Sequence, residues 1–215
     1  MYKIGVFDSG KGGKSVADAI KKSRPNDKVI FIDDHQNIPY GTKSPEQVLH
    51  LAVPRLRELE DRGCDVIVIA CNTVTTHHIS TLRKMFRTPL IGIEPMVKPA
   101  ALHTKTKVIA VCATPATLAS DRYKWLKHTY ASGIKVLEPQ CGDWAKMIEN
   151  SKINYQKIHQ QIEDVCNQNA DVIVLGCTHY HWIEETIKKY AAGRAEVIQP
   201  ETAIVKRVTT VLQQL

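Results

Sequence analysis

Short apolar runs rich in β-branched residues punctuate the chain at 3–7, 28–32, 65–70, 90–93, 106–111, 134–137, 171–176 and 196–198. Each predicts a β-strand, and amphipathic stretches long enough for helices lie between most of them. One helix start is explicit. Ser44-Pro45-Glu46-Gln47 places Ser at the N-cap, Pro in the first turn and Gln where it closes a capping box, and Gly63 supplies the stop before the next strand. Strands that alternate with helices form parallel sheets covered on both faces. The predicted fold class is α/β.

The pattern also repeats. Residues 65–71 read DVIVIAC and residues 171–177 read DVIVLGC, an offset of 106 positions. Upstream, Ile4-Gly5-Val6 leading to Asp8-Ser9 parallels Ile109-Ala110-Val111 leading to Ala113-Thr114, at an offset of 105. Two matched pairs at nearly one offset predict two similar half-domains, each a four-stranded parallel sheet flanked by helices, pseudo-twofold related. The division expected is 1–97 plus 199–215 for the first half-domain and 98–198 for the second. Residues 199–215 then form a helix that crosses back onto the first half.

Composition narrows the function classes. Over 215 residues, 43% hydrophobic and 24% charged is ordinary for a globular protein with a real core. No apolar run approaches the roughly 20 residues of a membrane helix. Strand-like sequence from Lys3 leaves no room for a signal peptide, so a cytoplasmic location is expected. The six cysteines show no C-x-x-C spacing and read as free thiols of a reducing compartment. The net charge of +7 comes from scattered lysines such as Lys21-Lys22, Lys105, Lys107 and Lys188-Lys189. Without a basic stripe interleaved with aromatics, it describes a solvated surface that draws in anions, not a nucleic-acid site.

Ligand groups in open parallel sheets sit just beyond the carboxyl ends of the strands. Asp8-Ser9, Cys71-Asn72-Thr73, Thr114 and Cys177-Thr178-His179 all occupy that position. A lone cysteine at a strand end is ordinarily a small buried residue, and Cys64, Cys112 and Cys166 fit that description. Two cysteines at matched places in a repeat, each followed by polar residues, do not. Opposed thiols across one cleft suit inversion of a carbon centre, with a base on one face and an acid on the other. Each thiol is expected to be drawn towards its thiolate by the helix N-terminus that follows it. Asn72, Thr73 and Thr178, with the free amides of the helix starts, can hold a carboxylate, and Asp8 and His179 are the candidate proton partners.

At these residues the sequence resembles the glutamate racemase family of the aspartate/glutamate racemase superfamily. The matching pieces are residues 7–13 (FDSGKGG), Pro39-Tyr40-Gly41, residues 70–73 (ACNT), 113–117 (ATPAT), Cys141 with Glu149, and 176–180 (GCTHY), in order along nearly the whole chain. The resemblance implies racemisation of glutamate without a cofactor or metal, with Cys71 serving the D-enantiomer and Cys177 the L-enantiomer. Asp8 would assist Cys71, and Glu149 with His179 would assist Cys177. Ser9, Pro39, Tyr40, Gly41, Asn72, Thr73, Thr114, Thr117 and Thr178 would bind the substrate. The family's role is D-glutamate supply for peptidoglycan. The resemblance implies a small-molecule amino-acid partner, and it allows a homodimer. His179 favours glutamate over aspartate, the alternative substrate within the superfamily. Lys14, His35-Gln36-Asn37, Gly142, His181 and Gln199-Pro200 depart from the family's usual residues.

Three other readings compete. Residues 8–15 (DSGKGGKS) resemble a phosphate loop, but Asp8 stands where the first glycine belongs and repels phosphate. Cys177, His179 and His181, with His77-His78, are potential zinc ligands without convincing spacing. Against the zinc reading, His181 reads as a surface histidine, and Asp33-Asp34 as a solvated loop end that positions Tyr40. A catalytically silent binding protein is the third.

Overall fold

The computed structural model describes residues 1–215. The chain runs β1 (Lys3–Asp8), α1 (Lys14–Ser23), β2 (Lys28–Asp33), α2 (Pro45–Asp61), β3 (Val66–Ile69), α3 (Asn72–Met85), β4 (Leu90–Gly92), α4 (Val97–His103), β5 (Val108–Ala113), α5 (Pro115–Ala119) and α6 (Asp121–Tyr130). It continues through β6 (Lys135–Leu137), α7 (Trp144–Glu149), α8 (Tyr155–Asn167), β7 (Val172–Gly176), α9 (Thr178–His181), α10 (Glu184–Ala191), β8 (Glu196–Ile198) and α11 (Glu201–Leu212). No helix is long and apolar enough to cross a membrane.

The strands form two four-stranded, all-parallel sheets, ordered β2-β1-β3-β4 and β6-β5-β7-β8. The α/β class and the two parallel sheets expected from the repeat are therefore present. Both sheets reverse their strand order at one place, between β1 and β3 in one and between β5 and β7 in the other. A crevice opens beyond the carboxyl ends of strands at such a switch point. Asp8 and Cys71 end the first central pair; Ala113 and Cys177 end the second.

The repeated DVIV segment has a physical reason at each position. Its aspartate accepts from the start of the neighbouring strand: Asp65 takes the Lys3 N–H at 2.7 Å, and Asp171 takes those of Lys105 and Thr106 at 2.6 and 2.9 Å. The apolar residues that follow alternate between two cores, as strand geometry requires. Ile67, Ile69 and Cys71 pack on one face of the first sheet with Leu56 and Leu59 of α2, while Val66, Val68 and Ala70 pack on the other with Val16 and Ile20 of α1. In the second sheet Ile173, Leu175 and Cys177 join Trp144 and Ile162, and Val172 and Val174 join Tyr123 and Leu126. Both thiols thus sit at the last inward step of a buried strand. Cys64, Cys112 and Cys166 are buried in these cores.

The capping box of α2 forms as its sequence dictates, with Ser44 Oγ accepting from Gln47 N–H and the Gln47 side chain accepting from Ser44 N–H. Gly63 follows with φ of 71°, which glycine adopts at low cost. Helix α11 lays Ile204, Val208, Val211 and Leu212 against Ile4, Val6, Val66 and Ile91 of the first sheet.

Two residues read as solvated are buried. Asp34 is 2% exposed, because it accepts from the Tyr40 hydroxyl at 2.7 Å and from Asn37 and Arg55. His181 is closed off by α1 and α11, its Nδ1 lying 3.3 Å from Glu201 Oε1 and 3.4 Å from Ser15 Oγ. Nothing local in the sequence marks this burial, which arises only where α9 is pressed against elements distant along the chain.

Candidate active site

A cavity of about 140 Å³ opens between the carboxyl ends of the two sheets. It is smaller than the roughly 300–1,000 Å³ typical of drug-sized ligands and suits a small metabolite. Ser9, Pro39, Tyr40, Gly41, Cys71, Asn72, Thr73, Thr114, Glu149, Cys177, Thr178 and His179 line it. Two further residues singled out in the sequence lie beneath that lining. Asp8 is fully buried, and Thr117 is buried beneath Thr73 and Thr114.

Cys71 caps the N-terminus of α3, with Ser9 Oγ 3.3 Å from its sulfur. Burial pushes its thiol up to about 12, and the neighbouring Asp8 carboxylate adds to the rise. The Ser9 hydroxyl and the Val74 N–H at the helix start pull the other way. The expectation that the helix N-terminus would bring this thiol towards its thiolate is therefore overturned for Cys71. Desolvation outweighs two donors.

Asp8 Oδ2 accepts from Gly13 N–H at 2.7 Å and from the Thr178 hydroxyl at 3.1 Å, while Oδ1 is buried without a partner. Burial raises its carboxyl above the usual range, against the opposing charge of His179 and these donors. The Gly13 amide, which a phosphate loop needs for its ligand, is already taken by Asp8.

The second thiol has different neighbours. Cys177 caps α9, and its sulfur lies 3.8 Å from Nδ1 of His179. The opposite ring atom, Nε2, donates to Glu149 Oε2 at 2.5 Å. Burial opposes a charge on His179, but the hydrogen bonds to Cys177 and Glu149 override it and lift its pKa to about 10. Glu149 is correspondingly held below the usual carboxylate range, burial opposing and His179 prevailing. Packing fixes this pair: the Tyr180 hydroxyl donates to the Cys141 carbonyl at 2.7 Å, and the Trp144 ring meets the Tyr180 ring edge-on at 5.2 Å. Helices α7 and α9 are thereby locked together.

Neutral polar groups gather at the floor. Thr73 Oγ1 lies 3.1 Å from Thr114 Oγ1 and 3.3 Å from Thr117 Oγ1, and both amide atoms of the Asn72 side chain are buried without partners. Unpaired polar atoms cost free energy unless a ligand satisfies them. His77 and His78 point their Nε2 atoms at the backbone carbonyls of Ala116 and Pro45, and no three potential ligands converge as a metal site. Sequence reasoning missed Ile38, Thr42, Gly142, Ala145, Lys146, Asn150 and Gly176, which also line the cavity. Spacing from Glu149 was the available signal for Ala145, Lys146 and Asn150, which fall on its side of α7.

Two parallel sheets with a cleft between the carboxyl ends of their strands, lined by a cysteine from each, set the frame in which the sequence comparison is read. The family model for Asp/Glu/Hydantoin racemase matches residues 13–208. The chain belongs to this family and is an amino-acid racemase. Among its relatives, the glutamate racemase of Aliarcobacter butzleri is 38% identical over 220 residues, covering 99% of this chain and 84% of that one. The glutamate racemase of Ralstonia pickettii is 35% identical, covering 95% and 74%. Among solved structures, Escherichia coli glutamate racemase in complex with L-glutamate and the activator UDP-MurNAc-ala superposes with a TM-score of 0.86 at 25% identity, covering 99% of this chain and 82% of that one. Francisella tularensis glutamate racemase in complex with D-glutamate gives 0.83 at 30%, covering 99% and 81%.

Proposed function

We propose that this protein interconverts L- and D-glutamate by a two-thiol mechanism, and that it supplies D-glutamate for peptidoglycan in the cytoplasm. The observation that carries the reading is the pair Cys71 and Cys177, which follow equivalent strands and line one cleft.

For L-glutamate, the Cys177 thiolate removes the α-proton and becomes a thiol. The C–H electron pair stays on the α-carbon and spreads into the α-carboxylate. Cys71, protonated in the resting enzyme, donates its proton to the opposite face and yields D-glutamate. The reverse direction exchanges the two roles. His179, held by Glu149, is the proton partner of Cys177, and Asp8 is that of Cys71. Asn72, Thr73, Thr114 and Thr117 supply donors to the α-carboxylate as it gains enolate-like charge, which is where pre-organised dipoles act most strongly. Ser9, the unpartnered Asp8 oxygen and Thr178 receive the ammonium group, while Pro39, Tyr40 and Gly41 form the wall beside it. A bound ammonium also offsets the Asp8 charge, which adds to the burial that holds the Cys71 thiol protonated. No step in this reading needs a cofactor. The half-domains it implies are 1–97 with 199–215, and 98–198.

The test follows the circular dichroism of each glutamate enantiomer in D₂O. Wild type is expected to erase the optical signal and incorporate deuterium at the α-carbon, while Cys71→Ser and Cys177→Ser each lose on the order of a thousandfold in rate. No signal loss and no α-deuterium would remove the reading. Aspartate run in parallel decides the alternative substrate.

A further inference from the structure

The glycine-rich turn whose sequence resembles a phosphate loop has a different use in this fold. Lys11–Gly13 follows β1 of the first sheet and lies flat on side chains that belong to the second. A β-carbon at Gly10 would stand 3.0 Å from Nε2 of His179 and 3.1 Å from Oε2 of Glu149, the two atoms of their hydrogen bond. One at Gly12 would stand 2.6 Å from the backbone nitrogen of His179 and 2.8 Å from both its Nδ1 and the Thr178 hydroxyl oxygen. Glycine alone lets backbone come this near. The turn thus roofs the His179–Glu149 pair, leaves His179 only 5% exposed, and keeps water from the hydrogen bond between them.

One carbonyl anchors the roof. Gly12 O accepts the indole Nε1–H of Trp182 at 3.2 Å and the Ser15 hydroxyl at 3.3 Å. Trp182 directly follows α9, the helix that carries His179 and is capped by Cys177. The pair and its cover are therefore joined through one short element. On the same turn, Lys11 donates to the Glu149 carbonyl at 2.8 Å and lies 5.9 Å from the centre of the Trp182 ring. Trp182 is itself 49% exposed. Phenylalanine in its place keeps a ring for Lys11, empties no core, and deletes only the donor.

We infer that Trp182 is a positioning residue: through the Gly12 carbonyl it pins the 10–13 turn over the His179–Glu149 pair and so fixes the proton partner of Cys177. This role rests on the reading of His179 as that partner. Without the tether the turn lifts, water reaches the Nε2–H of His179, and the ring nitrogen that faces the Cys177 sulfur loses its alignment. Trp182 stands outside the cavity lining, so its loss acts on proton transfer and spares substrate binding.

The experiment compares wild type, Trp182→Phe and, as the control for loss of a half-exposed indole elsewhere, Trp125→Phe, each well below its thermal transition. Proton NMR follows the Nε2–H of His179, assigned by its disappearance in His179→Gln and expected downfield of the backbone amides. Wild type and Trp125→Phe should show it, and Trp182→Phe should lose it to exchange with water. In parallel, Trp182→Phe is expected to lower kcat about tenfold from either glutamate enantiomer and to change KM by less than about twofold, the signature of misaligned proton transfer with binding intact. A His179 signal that persists in Trp182→Phe overturns the inference, as does a wild-type kcat there. Its absence from wild type does the same, because a roofed proton exchanges slowly. If wild type leaves the optical activity of glutamate intact, the racemisation reading falls and the His179 signal alone decides the tether: lost in Trp182→Phe it upholds it, and kept it overturns it.

Discussion

Oε2 of Glu149 lies 2.5 Å from Nε2 of His179, and the other ring nitrogen of His179 faces the sulfur of Cys177 at 3.8 Å. Cys71 has a different neighbourhood, a serine hydroxyl and a buried carboxylate. The two halves resemble each other in strand order and thiol position, but not in what flanks the thiol. The imidazolium beside Cys177 depends on the Glu149 carboxylate to carry its charge in a buried place.

That dependence makes the stability contribution of Glu149 a function of pH. The pKa of His179 is raised from 6.5 to about 10, so its part is fully present below 6.5 and is lost as pH rises through about 10. Glu149 is lowered from 4.5, so its part is fully present above 4.5 and is lost as pH falls through its lowered value. Between pH 4.5 and 6.5 both are complete. Glu149→Gln is expected to cost about 2 kcal/mol there, less than for a wholly buried pair, or roughly 4–8 °C in Tm for a chain of this size. The gap to wild type should narrow steadily towards pH 10.5. A gap independent of pH across that range would mean that the pair adds shape and no charge coupling.

Cys71 yields a second pH prediction. A thiol pushed up to about 12 is protonated at every ordinary pH, and only the thiolate is alkylated. Iodoacetamide labelling of Cys71 in the unliganded protein, followed by peptide mass spectrometry, is expected to speed up about tenfold per pH unit from 7 to 10 without a plateau. A plateau near pH 8 would place the thiol well below that position.

These relationships were only partly legible in the sequence. The eight strands were, because buried parallel strands read as unbroken apolar runs. Their ends differ by a residue or two, as at β3, which starts at Val66 where Asp65 was expected. Cys71 and Cys177 were legible because the repeat carried them. The burial of Asp34 and His181 was not. Each is decided by partners far along the chain, Arg55 for one and Ser15 and Glu201 for the other. The state of Cys71 was misread for a related reason. A helix N-terminus is visible in the order of residues, whereas the depth of its burial is a property of the closed cleft.

The capping box of α2 is the local feature that owes nothing to the cleft. Ser44→Ala removes the acceptor for Gln47 N–H and is expected to cost about 1 kcal/mol, or roughly 2–4 °C in Tm. Racemisation kinetics should stay at the wild-type value. A loss of activity would show that α2 transmits its position to Tyr40 through the short segment between them.

Gly41 tests how closely the two halves must approach. A β-carbon at this position would lie 2.7 Å from Cβ and 2.9 Å from Cγ2 of Thr114, closer than packed atoms allow. Gly41 follows β2 in the first sheet's half, and Thr114 caps α5 in the second. Thr114 is not free to retreat, since its hydroxyl is tied to Thr73 at 3.1 Å and to Thr117 at 3.0 Å. Movement of either side would therefore disturb the floor on which the substrate carboxylate is proposed to rest. Gly41→Ala is expected to cost about 1–3 kcal/mol of stability through overpacking. It should also lower kcat/KM for glutamate by more than about tenfold, because misplacement by a fraction of an ångström is amplified in proton transfer. Wild-type kcat/KM in this variant would show that the 40–42 turn yields without moving Thr114, and that the threonine cluster is positioned independently of the wall above it.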